Sequence, residues 1–259
     1  MICLWFTALF VGAFLFARRN GRDDDQMAGT AMVVPGLTHL FVFWVIARDI
    51  SPAADHPGGL FALVFLVNLA PLAMAYLRPS FRTALVVAGA VAFLLLLICT
   101  STQLTDDLLW ITLGLTVLFG AVHSVCPAVL ERMKPAKSPR WWMHLFPVLA
   151  MLMPLVPHFK LDQLSWGMWP AVMLINALAI SLAVFVGSLL GVFIVFGLTF
   201  LAAVMWVAVL PVTVGGWMGV NGMLVVAAGF TWMFMGAMFA VCRWKGISLE
   251  SLGEKPLSG

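Results

Sequence analysis

Three histidines stand inside long apolar stretches of the sequence, where ionisable side chains are uncommon: His39, His123 and His144. Cys126 follows His123 by three residues, so the two side chains share one face of a helix. Imidazole and thiol groups at such depth could bind a metal ion or haem, or relay protons. Two histidines and one cysteine near one boundary are too few ligands for a metal site. We therefore favour neutral imidazoles that hydrogen-bond neighbouring helices, and we predict no metal ligand.

A second set of candidates lies between the apolar stretches, in connections that carry acids and histidines. Paired carboxylates can perform acid–base chemistry or hold a divalent cation. Asp106 and Asp107 also stand where a helix should begin, and acids at that position favour the helix dipole. We interpret the pair as a helix cap, with a catalytic or cation-binding site as the alternative. The candidates in these connections are His56, Asp106, Asp107 and His158.

Two amide side chains, Asn68 and Asn176, also fall within apolar stretches. Interhelical hydrogen bonds from such groups contribute roughly 0.6–2 kcal/mol and hold helix bundles together. We interpret both as packing residues. The sequence contains no P-loop, dinucleotide-binding glycine pattern, zinc-protease motif or serine-nucleophile elbow. No catalytic residue and no cofactor are therefore predicted.

The elements that must position these residues are membrane helices. The chain is 63% hydrophobic and 10% charged, whereas an ordinary globular domain has about 25% charged residues. Between Asp162 and Arg243, 80 consecutive residues include no Asp, Glu, Lys, Arg or His. A membrane-spanning helix needs roughly 20 apolar residues. The sequence therefore predicts an all-α, polytopic membrane protein.

The apolar stretches and the turn residues between them predict nine membrane-spanning helices. Because short connections force neighbouring helices to run antiparallel, we expect a series of helical hairpins. Pro147 and Pro154 should each break a backbone hydrogen bond and kink the sixth span. None of the nine spans should contain Asp, Glu, Lys or Arg. The predicted spans are residues 2–17, 28–47, 59–77, 83–99, 108–130, 141–156, 169–186, 190–210 and 223–241.

The distribution of basic residues predicts the orientation. With the N-terminus outside, the inner loops and the C-terminal tail hold twelve of the fourteen Lys and Arg residues, as the positive-inside rule requires. The 80-residue block then runs from an outer loop to the inner tail, so it crosses an odd number of times and is best divided into three spans. We expect one transmembrane domain over residues 1–245 and a short cytoplasmic tail over residues 246–259.

Tryptophans favour the two membrane–water interfaces, and their positions agree with this topology. Seven of them fall near the predicted outer boundary and three near the inner one, while Trp232 falls within a span. The seven outer tryptophans are Trp5, Trp44, Trp110, Trp166, Trp169, Trp206 and Trp217.

The first apolar stretch is unlike a secretory signal peptide, because arginines follow it and no basic residue precedes it. A span that begins at residue 2 is also typical of a fragment of a longer polytopic chain. Short hairpin spans with basic turns, such as Phe16-Ala17-Arg18-Arg19 and Tyr76-Leu77-Arg78-Pro79, resemble a large bacterial family of multi-pass predicted membrane proteins of unknown function. Members of that family are typically longer. The resemblance implies a multi-pass helical fold and transfers no functional residue.

Three functional hypotheses follow. The first is a non-enzymatic scaffold or envelope-associated component of the bacterial cytoplasmic membrane. It would have the lipid bilayer as its main partner, other membrane proteins or a second copy as further partners, and no nucleic acid. The second is a transporter, channel or lipid flippase, which requires His39, Asn68 and Asn176 around one cleft. The third is a transferase for lipid-linked substrates, which requires the acids and histidines of the outer connections in one pocket.

Overall fold

The computed structural model describes residues 2–21, 25–48, 57–133, 145–160, 168–186, 190–209 and 220–245, which are almost entirely helical and include no strand. Within these residues, two single 3-10 turns, Pro79–Phe81 and Met153–Leu155, connect helices. The α-helices are α1 (Ile2–Arg19), α2 (Asp25–Ala47), α3 (Pro57–Leu77), α4 (Arg82–Gln103), α5 (Asp106–Met133), α6 (Leu145–Leu152), α7 (Pro157–Lys160), α8 (Met168–Val186), α9 (Leu190–Val209) and α10 (Val220–Lys245).

The lengths of these helices confirm the membrane-protein class. Four stretches of the described chain are long and apolar enough to cross a bilayer. Further apolar stretches of 10–17 residues lie within the described parts of α2, α6, α8 and α9. The four long stretches are Pro57–Leu77, Pro79–Gln103, Asp106–Met133 and Asn221–Ala240.

The main hydrophobic core forms where α3, α4, α5, α6 and α8 pack together. Each of the first five helices contacts the next helix in the chain, and α5 also packs against α3 and α8. Phe61, Phe93, Phe119 and Phe146 come from four different helices, and all four side chains are fully buried. Their packing determines which faces of α3, α4, α5 and α6 contact one another.

The sixth predicted span contains Pro147 and Pro154. The α-helix ends at Leu152, and Pro154 lies in the 3-10 turn that follows, which confirms a break at that position. Pro147 lies in the first described turn of α6. Residues 141–144 of this span are outside the described residues, so the kink at Pro147 stays a prediction.

One end of the bundle carries several arginines. We call it the arginine end and define it by Arg18, Arg78, Arg82 and Arg132, at the ends of α1, α3 and α5 and the start of α4. The guanidinium of Arg78 lies 5.7 Å from the centre of the Phe14 ring, which joins α1 to this end of α3. Helices α4 and α5 extend beyond the predicted spans 83–99 and 108–130, so Arg82 and Arg132 lie within helices although they are outside those spans.

The described tryptophans of the predicted outer boundary divide into two groups, whereas Trp166 and Trp217 lie outside the described residues. Trp5, Trp44 and Trp110 are exposed, as expected for interfacial side chains. Trp169 and Trp206 are instead buried, with ring centres 5.4 Å apart and edge to face. Trp169 also packs against Phe230 at 5.9 Å. These two indoles therefore join α8, α9 and α10, because a large apolar side chain gains more contact area between helices than at their edge.

Candidate functional site

His123 lies at the centre of the core and is only 1% exposed. Its ring is stacked on Phe119 of the same helix, with ring centres 5.7 Å apart and a 7° angle between the planes. Phe146 of α6 lies at 5.3 Å and Phe93 of α4 at 6.5 Å. Because phenylalanines surround the imidazole, few polar groups lie within its reach. Its chemistry therefore depends on the hydrogen-bond partners of its two nitrogens.

Gly89 of α4 is the position at which this aromatic cluster approaches a helix backbone most closely. A Cβ atom at residue 89 would lie 2.5 Å from Cδ2 of His123 and 2.5 Å from Cε1 of Phe146. Carbon atoms in contact are normally about 3.5–4.0 Å apart. Glycine is therefore required there for α4 to pack against α5 and α6.

Both nitrogens of His123 are used in helix contacts. Its Nδ1 lies 3.0 Å from the carbonyl oxygen of Phe119, one turn earlier in α5. A carbonyl only accepts, so Nδ1 carries the proton and Nε2 is the acceptor. The amide nitrogen of Asn68 lies 3.5 Å from that Nε2, at the long limit of a hydrogen bond. His123 thus links α5 to α3.

His39 extends this contact to α2. Its Nδ1 donates to the carbonyl oxygen of Pro35 at 2.6 Å, which fixes the tautomer and leaves Nε2 as an acceptor. Asn68 is also a side-chain neighbour of His39. We call His39, Asn68 and His123, from α2, α3 and α5, the polar chain; Asn68 and His123 are in hydrogen-bond contact, and His39 is a neighbour of Asn68. Within it, Nε2 of His39 and Oδ1 of Asn68 are buried and have no hydrogen-bond partner.

A groove of about 610 Å³ runs beside this polar chain, between α2 and α4, with Pro71 of α3 at its wall. His39 contributes to the lining. Its Nδ1 is bonded to the Pro35 carbonyl and its Nε2 is buried. Neither nitrogen is therefore available for a hydrogen bond inside the groove, and nearly the whole lining is apolar.

Asn176 belongs to a separate polar contact. Its amide nitrogen donates to Oγ1 of Thr199 at 2.8 Å and to the carbonyl oxygen of Val172 at 2.9 Å. Thr199 in turn donates to the carbonyl oxygen of Val195 at 2.8 Å. This contact joins α8 to α9. The structure thus brings His39, Asn68 and His123 together but does not place Asn176 with them around one cleft.

Arg82 and Glu131 form a buried ion pair at the arginine end, with exposures of 6% and 7%. Arg82 also donates to the carbonyl oxygen of Leu130 at 3.3 Å. The sequence interpretation assigned Arg82 to a short inner turn and did not single out Glu131. The signal that could have identified the pair is their opposite charge at the adjoining ends of two neighbouring helices.

The candidates from the outer connections are not gathered into a pocket by the described residues. Helix α5 begins at Asp106, so both acids lie in its first turn, as the helix-cap interpretation predicts, and both are exposed. His158 lies in the short helix α7, but its side chain is outside the described part of the structure. His56 and His144 are also outside the described residues.

The remaining chemistry of the bundle is limited. Among the described residues, no group of three or more His, Cys, Asp or Glu side chains is placed to hold a metal ion. Cys99 is a buried free thiol and Cys126 a half-buried one. The Cys99 thiol donates to Oε1 of Gln103 at 3.3 Å, one turn later in α4.

Comparison of the chain with models of known protein families, with curated proteins and with solved structures gives no match. The candidate sites are therefore interpreted from their own geometry.

Proposed function

We propose that this chain is a non-enzymatic, polytopic membrane protein that acts as a scaffold or envelope-associated component. The observation that supports this proposal most directly is the use of the polar groups inside the bundle. His123, Asn68, Asn176 and Thr199 all bond a neighbouring helix, the backbone of their own helix, or both. Side chains used in this way hold helices in position and are not presented to a substrate.

The proposed topology has nine spans, with the N-terminus outside and the C-terminus inside the bacterial cytoplasmic membrane. The positive-inside distribution of Lys and Arg supports it, as does the apolar character of the helices in the described part. Membership of the bacterial family of multi-pass predicted membrane proteins remains a prediction. Reporter fusions at Lys137 and at the C-terminus should both be cytoplasmic, whereas a periplasmic C-terminus would contradict the nine-span count.

The non-enzymatic role makes a direct prediction for the purified protein in liposomes. Vesicles that contain the protein should exchange fluorescent phospholipids between leaflets, and leak protons, at the rate of protein-free vesicles. The reason is that the polar side chains lie in two separate packed contacts and do not line one continuous path. Faster exchange or leakage, abolished by Asn68→Leu, would contradict the proposal.

A lipid flippase or transporter is the second candidate, because one observation favours it. The groove between α2 and α4 reaches His39, which lies near the middle of α2. A lipid headgroup passing along this groove would pass His39, whose ring would have to turn to bring a nitrogen to it. The same liposome assay separates the two candidates, since accelerated lipid exchange that is lost in His39→Leu would support the flippase.

A further inference from the structure

The polar chain contains more hydrogen-bond acceptors than its donors serve. His39 and His123 each donate from Nδ1 to a backbone carbonyl, so both Nε2 atoms are acceptors. The amide nitrogen of Asn68 is directed at Nε2 of His123. The other end of the carboxamide, Oδ1, is therefore left for its neighbour His39. Nε2 of His39 and Oδ1 of Asn68 are both acceptors, and neither has a hydrogen-bond donor among the described residues.

Rotation of the Asn68 side chain does not correct this mismatch. If the amide nitrogen turned to His39, Oδ1 would face Nε2 of His123, which is also an acceptor. A change of tautomer does not correct it either, because Nδ1 of His39 would lose the proton that it donates to the Pro35 carbonyl at 2.6 Å. In each arrangement, the contact between α2, α3 and α5 lacks one donor.

Burial makes the missing donor unfavourable. His39 and Asn68 are only 6% and 4% exposed. A buried acceptor without a hydrogen bond destabilises a fold, and the hydrocarbon around a membrane protein cannot supply the donor. A small ligand that donates to both atoms at once would satisfy them, and it would join α2 to α3.

A proton is an unfavourable ligand for this site, because it would place a positive charge among apolar side chains. The acids of the described helices belong to α2 and α5 and lie near the helix ends. Along the helix axis, each is at least about 12 Å from the histidine of its own helix. The nearest along the chain, Glu131, is paired with Arg82. These acids are Asp25, Asp106, Asp107 and Glu131.

A water molecule meets the requirements of the site. It donates two hydrogen bonds without bringing a charge, and buried waters in proteins typically satisfy polar groups that have no other partner. Space is available beside His39, which forms part of the wall of the groove between α2 and α4. Gly36 lies one turn earlier on the same face of α2, and a Cβ atom there would meet nothing within 4 Å. The two acceptors therefore lie at the edge of an open space.

We propose that α2 and α3 hold a water molecule between His39 and Asn68, which donates one hydrogen bond to Nε2 and the other to Oδ1. With this water, the polar chain is continuous from the Pro35 carbonyl of α2 to the Phe119 carbonyl of α5. The site goes beyond the proposed scaffold role and depends neither on that role nor on the nine-span topology.

Solid-state NMR of the unmodified, full-length protein in phospholipid bilayers tests the site, with nitrogen-15 in the histidine rings. At neutral pH, Nε2 of His39 should have the chemical shift of an unprotonated nitrogen and a cross-peak to water protons. Nε2 of His123 is the matched control, since it accepts from Asn68 and should have no such cross-peak. A protonated Nε2 at His39 would show that a proton occupies the site and would overturn the proposal. An unprotonated Nε2 without contact to water would overturn it as well.

The bridging role of Asn68 is tested by substitution. Asn68→Leu removes one of the two acceptors, so the cross-peak between His39 and water should be lost. The control is Asn176→Leu, which removes an amide of the same kind from the separate contact between α8 and α9 and should leave the cross-peak unchanged. Equal cross-peaks in the two variants would show that the water does not depend on Asn68, and the proposed bridge would be wrong.

Discussion

Two parts of this bundle are built from similar apolar residues but are buried to different extents. In the most apolar 18-residue segment of α5, 44% of the residues are buried inside the bundle, whereas 6% are buried in the corresponding segment of α10. Around α5, aromatic packing on His123, the Asn68 contact and the Arg82–Glu131 pair join several helices. Helix α10 is held by Phe230 on Trp169 and by Phe234 on Phe196 of α9, at 5.9 and 5.1 Å.

The difference in burial shows that an apolar sequence alone does not determine how tightly a helix packs against its neighbours. In a bilayer, lipid accepts an exposed leucine as readily as another helix does, so hydrophobicity provides little force for helix association. Close packing and hydrogen bonds must provide it. The packed region around α5 contains Gly89, where a Cβ atom would overlap its neighbours, and polar side chains that reach across helices. In the described part of α10, a Cβ atom at Gly229 would lie at an ordinary 3.8 Å from Met173, and Thr231 bonds the backbone of its own helix.

The largest effect is expected in the packed region, from Glu131→Leu. This substitution removes the partner of Arg82 and leaves a buried guanidinium without its carboxylate, which should destabilise the protein by about 3 kcal/mol. Unfolding in mixed detergent micelles measures the change. The double variant Arg82→Leu/Glu131→Leu should recover most of the loss, because it removes both charges of the pair. A single variant as stable as the unmodified protein would show that the pair is solvated.

Gly89→Ala should have the next largest effect. The added methyl group would overlap His123 and Phe146, and such overpacking typically costs about 1–3 kcal/mol. The matched control is Gly236→Ala in α10, where a Cβ atom would meet nothing within 4 Å. That change should be neutral or stabilise the helix by about 0.5–1 kcal/mol. Both values come from the same unfolding assay. Equal effects at the two glycines would contradict the difference in packing between the two regions.

The smallest effect is expected from Trp232→Leu in α10. Trp232 is 77% exposed, so the substitution should change stability by about 0.5 kcal/mol or less. The comparison is Trp169→Leu at the buried indole that is 2% exposed, which should cost more because Trp206 and Phe230 lose their partner. Thermal unfolding in detergent measures both. A large loss at Trp232 would mean that α10 has a protein partner on its exposed face.

The sequence predicted the helices well and their contacts poorly. Eight of the nine predicted spans coincide with helices in their described residues, because a long apolar run in a membrane chain has few other conformations. The sixth span is the exception, since its described part is an eight-residue helix followed by a 3-10 turn. Asn68 and His123 were identified as polar groups at depth, but their contact was not predicted. Helices α2 and α3 are apolar around nearly their whole circumference, so no stripe indicates which face meets a neighbour.

The burial of the charged and aromatic side chains was harder to predict than the helices themselves. Arg82 and Glu131 are 49 residues apart, and the assignment of both to loops concealed a buried pair. Trp169 and Trp206 match the interfacial preference of tryptophan, yet packing between three helices buries them. In both cases the outcome depends on which helices become neighbours, and that information is absent from any single stretch of sequence.

The central claim is that the polar side chains join particular helices, and a double-mutant cycle tests it most directly. Asn68→Leu and His123→Leu, alone and combined, should show a coupling of about 1 kcal/mol in the unfolding assay, as for a hydrogen bond between membrane helices. Asn68→Leu combined with Asn176→Leu should show additive losses, because Asn176 bonds Thr199 in the other contact. Additive losses for Asn68 and His123, or clear coupling of Asn68 with Asn176, would contradict the account.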